Sequence, residues 1–236
     1  MYKFKIKAEN RLRIKILIII AASVLFCFFI FRFVPLSQKD EEAVYLRLVS
    51  EDNPLAENYR PKLMSVENVE VSEKCAEALS LMLAAAREAG CEPLLLEGYA
   101  DRKSQQKRYD EHIDKLISQG SSLEEAEILA LKTMSKPGAD EHQLGLTVDI
   151  TDEDFSGRDM DFLNSKTYKW LLEHAREYGF IIRYPEEKSH ITGRDFMPWH
   201  YRYVGAESAQ LMLDLDMCLE EYYTWFYSDD VIVITD

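Results

Sequence analysis

Cysteine is scarce in this chain, four in 236 residues, and the scarcity constrains the fold. Cys27 lies in an apolar stretch, which leaves Cys75, Cys91 and Cys218 for any cross-link. The helix expected between Cys75 and Gly90 separates the first two by roughly 20 Å at its normal rise, far beyond disulfide reach. Buried or free thiols are therefore expected. Internal repeats and low-complexity tracts are also missing, and so is a regular alternation of strand and helix, which argues for an α+β domain. Basic charge is confined to one end: residues 1–36 hold seven Lys or Arg and one acid, net +6, so the total of −14 leaves −20 on residues 37–236. Phosphate backbones need a basic surface, so nucleic acid is excluded as a partner.

The N-terminal end holds the one long hydrophobic run. Ile16 to Phe31 is free of charge and continues through Arg32, Phe33 and Val34 to Pro35, and an arginine at that end can snorkel to the interface. Lys3, Lys5, Lys7, Arg11, Arg13 and Lys15 precede it, so the positive-inside rule keeps the N-terminus cytoplasmic. No small-x-small cleavage site follows, and Phe26 is a poor residue before a lipoprotein cysteine at Cys27. The expected organisation is a basic cytoplasmic segment over 1–15, an uncleaved single-pass anchor over 16–34, a linker over 35–43 and an extracytoplasmic domain over 44–236, in the cell membrane.

Within that domain, Val44 to Val49 reads as a first strand. Ser72 caps a helix whose Cys75, Leu79, Met82, Leu83 and Ala86 follow the i, i+3, i+4 pattern, and Gly90 ends it. Pro93 onward reads as a buried strand. Helices are expected over residues 103–119, 123–134, 165–178 and 207–227, and strands over 146–151, 180–184 and 199–204. In the first of these last three, Leu146, Val148 and Ile150 share one face, which aims Asp149 off the other. His200 points off one face of its strand in the same way.

A hydrolytic zinc ion takes three nitrogen or oxygen ligands and keeps a fourth position for water. His142, Asp149 and His200 are such a set by residue type, although an isolated histidine is more often structural. Asp195 and the run Asp152 to Asp154 are either acids near a cleft or solvated loop charges. His190 is either a further ligand or an exposed loop residue, and His112 and His174 sit on helices without a motif. The aromatics Tyr222, Tyr223, Trp225, Phe226 and Tyr227 suit core packing better than sugar stacking, and Trp199 and Tyr203 read as core.

The segments EHQLGLTVDIT and PWHYRYVG resemble the two metal motifs of VanY-type D-alanyl-D-alanine carboxypeptidases, SxHxxGxAxD and ExxH. LVSEDNPLAENYRP, GYADRKSQQ, YGFIIRYPEEKSHITG and LDMCLEEY resemble further family segments, so the likeness spans about residues 44–224. It implies a small mixed or antiparallel sheet flanked by helices with a cleft holding one zinc ion on His142, Asp149 and His200, and a peptidoglycan stem peptide as substrate. It also implies substrate contacts from Gln105, which matches the family glutamine. The chain departs from the pattern at three positions: the ExxH glutamate, the general base, falls on Met197, the arginine after Gly-Tyr falls on Ala100, and the serine before the first histidine falls on Asp140. Arg102 is a candidate replacement for the arginine if the turn is rearranged. Asp140 would repel a peptide carboxylate unless a cation intervenes. Two functions are therefore open: a zinc carboxypeptidase with a substitute base or altered substrate, and a family member without turnover that binds wall peptides or regulates wall metabolism.

Overall fold

The computed structural model describes residues 44–155 and 157–227. The expected anchor over 16–34 and its flanking segments lie outside these residues, and no described helix is long and apolar enough to cross a membrane.

Leu63–Val66 (β1) and Val69–Ser72 (β2) form an antiparallel hairpin in which Val66 faces Val69. Sequence reasoning missed it. Ser72 ends β2 and caps the next helix, Glu73–Glu88 (α1), by accepting the Lys74 amide. The expected apolar face of α1 is borne out: Cys75, Ala76, Leu79, Met82, Leu83 and Ala86 are all buried. Pro93–Glu97 (β3) follows, then Arg102–Ser118 (α2), capped by Asp101, and Leu123–Thr133 (α3), opened by a Ser122/Glu125 capping box. Thr147–Asp152 (β4), Lys166–His174 (α4), Phe180–Ile182 (β5), Ser189–Thr192 (α5), His200–Tyr203 (β6), Ala206–Asp214 (α6) and Leu219–Tyr227 (α7) complete the described chain.

The main sheet has the order β3-β4-β6-β5 and every pairing is antiparallel. The α+β expectation is thus borne out. One face of the sheet meets α1 in a core of Leu79, Met82, Leu95, Val148, Ile150 and Tyr201. All six residues of β4 are buried, because its other face, where Asp149 points, lies under a cleft. Cys75, Cys91 and Cys218 are buried free thiols, as the helix-length argument required for the first two.

Two expected elements are corrected. Residues 44–49 form a single helical turn and then irregular chain. The carbonyls of Tyr45 and Arg47 accept from Nη2 of the fully buried Arg202 at 2.9 and 3.0 Å, and that guanidinium replaces a strand partner. The expected helix over 207–227 is broken into α6 and α7. Asp216 takes φ of 52°, the Met217 amide bonds back to the Met212 carbonyl, and Glu221 caps the Cys218 amide at 2.9 Å. The break turns Leu219 and Tyr222 toward Leu46, Val204 and Met212, which form a second buried cluster with them.

Candidate metal centre and its cleft

The pairing of β4 with its neighbours sets the site. Asp149 faces His200 on β6 and Glu97 on β3. Directly paired residues in an antiparallel sheet project to the same side, so Glu97, Asp149 and His200 form a row across the sheet. His142 reaches that row from a one-turn 3-10 helix, Glu141–Leu144, which Asp140 caps by accepting the His142 amide at 2.7 Å. Gly145 then reverses the chain into β4 with φ of 75°, and a Cβ there would lie 3.2 Å from the Ser72 amide nitrogen, so glycine is required twice over.

His142, Asp149 and His200 are buried, and one donor atom from each lies within 4.8 Å of the others. His142 Nε2 is 3.5 Å from Asp149 Oδ1, and His200 Nδ1 is 2.7 Å from the same oxygen. His142 Nδ1 lies 2.7 Å from the Gly98 carbonyl. A carbonyl only accepts, so Nδ1 carries a proton and Nε2 is the ring nitrogen left to face Asp149 and to bind a metal, the arrangement that metal-ligating histidines adopt. His200 stacks on Tyr184 at 5.2 Å, and its Nε2 is buried without a hydrogen-bond partner. Burial works to raise the Asp149 pKa, but the His142 and His200 imidazoles hold it well below the usual carboxylate range. For His142, burial works downward, and the Asp149 carboxylate outweighs it and lifts the pKa. An ionised buried carboxylate between two imidazoles, one with its tautomer fixed, fits a single zinc ion.

Two further shells surround the trio. Arg158 Nε donates to Asp149 Oδ2, and its Nη2 donates to Glu97. Arg108 Nη1 also donates to Glu97, while Arg108 Nη2 donates to Gln105 Oε1 at 2.8 Å. Behind His142, Glu141 is paired with Arg183 at 2.8 Å and with Arg202 at 2.9 Å, and Arg183 extends the chain of charges to Glu220. Burial opposes ionisation of Glu141, but the two guanidiniums bring its pKa down to about 2.

The trio opens into a cleft of about 450 Å³ lined also by Gln105, Arg108, Asp140, Arg158 and Met197. Gln105 and Asp140 therefore stand where the motifs put them. Met197 is in the wall, 6 % exposed. Arg102 is not among the lining residues; its guanidinium lies against Gly138, where a Cβ would come within 2.5 Å of Nη1. Ala100 is buried, and its amide donates to the His142 carbonyl at 3.2 Å. Asp195 and His190 do not line the cleft, and Asp152 accepts from Thr167 Oγ1 at the Pro93 end of β4. His112 does line it, and so does Trp199. Sequence reasoning missed Glu97, Arg108 and Arg158. For Arg108 a signal existed, since it follows Gln105 by three residues on one helix face. For Arg158, in an irregular loop, there was none.

The family model "VanY: D-alanyl-D-alanine carboxypeptidase" matches residues 68–206. The chain belongs to this family. A D-alanyl-D-alanine carboxypeptidase of Enterococcus faecalis is 36% identical over 186 residues, covering 78% of this chain and 68% of that protein. The solved structure of VanYB in complex with D-alanine-D-alanine superposes with a TM-score of 0.70 at 35% identity, covering 76% of this chain and 97% of that one. A glutamate-to-alanine mutant of the vancomycin-resistance D,D-pentapeptidase VanY in complex with Zn(II) gives 0.68 at 35% identity, covering 76% and 98%. The likeness carried by the two metal motifs is borne out.

Proposed function

We propose that this protein is a membrane-anchored zinc D-alanyl-D-alanine carboxypeptidase of the cell wall whose hydrolysis of peptidoglycan stem peptides is slowed by the loss of its general base. The observation that carries the reading is the intact His142, Asp149 and His200 trio, with the Gly98 carbonyl holding the His142 ring and Arg158 holding the Asp149 carboxylate. Unused metal sites have no packing reason to keep a tautomer-fixed histidine beside an ionised buried aspartate. Membrane attachment through residues 16–34 rests on the apolar run and the basic residues before it.

Bound zinc supplies Lewis-acid polarisation and a lowered pKa for its water. His142, Asp149 and His200 would hold it. The thioether of Met197 accepts no proton, and each acid of the cleft is already engaged. Glu141 is paired with two arginines, Asp149 belongs to the metal set, Glu97 lies between Arg108 and Arg158, and Asp140 caps His142. A positioned base contributes about 10²- to 10⁴-fold, and that is the loss expected relative to an ExxH relative.

The second reading, a binding or regulatory protein without turnover, is favoured by Met197 itself. The two are separated by incubating the zinc-loaded full chain in detergent with a pentapeptide stem ending in D-alanyl-D-alanine. Free D-alanine above the level of a His200→Ala control supports the enzyme; none rules out D-alanine trimming and leaves the binding reading.

A further inference from the structure

The chain departs from its family's motifs at two positions beside the cleft. Ala100 replaces the arginine and is buried behind His142. Asp140 replaces the serine and puts a carboxylate in the cleft wall. A free C-terminal carboxylate entering there meets like charge in a partly desolvated space, where the repulsion is stronger than in water. A cation has to intervene if such a ligand is to bind.

The cations of the cleft differ in how far they are committed. Arg194 is held by Glu51, by Ser135 Oγ and by the carbonyls of Leu131 and Met134. Arg158, 43% exposed, also spends two nitrogens, but one of them holds the metal ligand Asp149 and the other Glu97, which commits it to the metal set. Lys115 is exposed at the far end of the α2 stripe. Arg108 lies between them: its side chain is one-third exposed (33%), and its Nε is buried without a hydrogen-bond partner. A guanidinium has five N–H donors, of which Glu97 and Gln105 use two. Gln105, Arg108, His112 and Lys115 recur at i, i+3, i+7 and i+10 and all line the cleft, so α2 presents one polar stripe to it. Burial lowers the pKa of Arg108, and the Asp140 charge is the leading influence that offsets this.

The geometry points to Arg108 as the residue that receives the C-terminal carboxylate of the ligand, as the counter-charge to Asp140. The inference rests on the stem-peptide reading above and narrows it. The ligand class is a peptide with a free carboxyl end, and an amidated or extended end is discriminated against. A bidentate guanidinium suits that end better than an ammonium.

The test needs no turnover. The zinc-loaded full chain in detergent is titrated with diacetyl-L-lysyl-D-alanyl-D-alanine and with the C-terminal amide of the same peptide. Wild type is expected to bind the acid at least about 10-fold more tightly than the amide, the range of one charge-assisted contact. Arg108→Gln should bring the two affinities together with zinc content unchanged. Asp140→Ser should tighten the acid and leave the amide alone, a readout that does not depend on how well the Arg108 variant folds. If wild type prefers the acid and Arg108→Gln keeps that preference, or if Asp140→Ser changes neither ligand, Arg108 is not the carboxylate receptor, while the stem-peptide reading stands. Wild type that binds acid and amide alike has the same meaning. If wild type binds neither, the stem-peptide reading itself fails.

Discussion

The carbonyl of Met197 accepts the amide proton of His200 at 3.1 Å. That turn fixes position 197 relative to a metal ligand, so whatever side chain stands there is carried to the cleft wall by the backbone. Met197→Glu places a carboxylate there without altering the turn. D-alanine release from a pentapeptide should rise by about 10²- to 10⁴-fold, the usual worth of a positioned base. A mutant with zinc bound and no gain would show that Ala100 and Asp140 limit the reaction as well.

Zinc binding is testable without activity. His142 offers Nε2 only because the Gly98 carbonyl takes the proton on Nδ1, and Asp149 is oriented by Arg158 on its outer oxygen. Metal analysis of the purified chain should give about one zinc per molecule, and His142→Ala should lose it, since a three-ligand site does not survive removal of one ligand. Arg158→Ala should keep the metal but release it to a chelator about 10- to 100-fold more readily, the usual effect of removing an outer-shell partner. Equal zinc content in wild type and His142→Ala would overturn the ligand assignment.

The trio was legible through the two motif segments that resemble the VanY-type family; residue type and spacing alone left it open. Local signals added only that Gly145 marks the turn between His142 and β4 and that the apolar alternation of Leu146, Val148 and Ile150 aims Asp149 at the other face. Local signals sufficed for α1, whose buried positions repeat at helical spacing. What escaped depends on contacts distant in the chain. Glu97 joins the row through a ladder whose register shifts between Leu95 and Glu97, and counting alternation from Pro93 does not reveal such a shift. Residues 44–49 have the composition of a strand, yet their carbonyls go to Arg202, more than 150 residues away. The stop between α6 and α7 is set by packing of Leu219 and Tyr222, with neither glycine nor proline to announce it.

The buried thiols should be inert. Burial pushes the Cys75 pKa up to about 12 and the Cys218 pKa up to about 11, so the reactive thiolate is almost absent at pH 8. With Cys27 replaced by serine, the native chain should react with a disulfide reagent at pH 8 only over hours, and its three thiols should titrate at once in denaturant. Rapid reaction of one thiol in the native state would show that its site opens.

The buried carboxylate of Glu141 holds two guanidiniums, those of Arg183 and Arg202, whose side chains are 3% and 0% exposed. Arg183 also has Glu220, at 2.6 Å. Among the described residues Arg202 pairs with no other acid and otherwise spends Nε and Nη2 on the carbonyls of Tyr203, Tyr45 and Arg47. Glu141→Ala therefore leaves an uncompensated buried charge on Arg202, and removal of one partner of a buried pair costs about 3–5 kcal/mol. Glu220→Ala leaves Arg183 still paired with Glu141, and Glu220 is one-quarter exposed, so water can replace it and its cost should be smaller, about 1–2 kcal/mol. Denaturant unfolding of the two variants in the presence of excess chelator, which removes any contribution from metal, should show that order. Similar midpoints for the two would mean that water reaches Arg202 when Glu141 is gone.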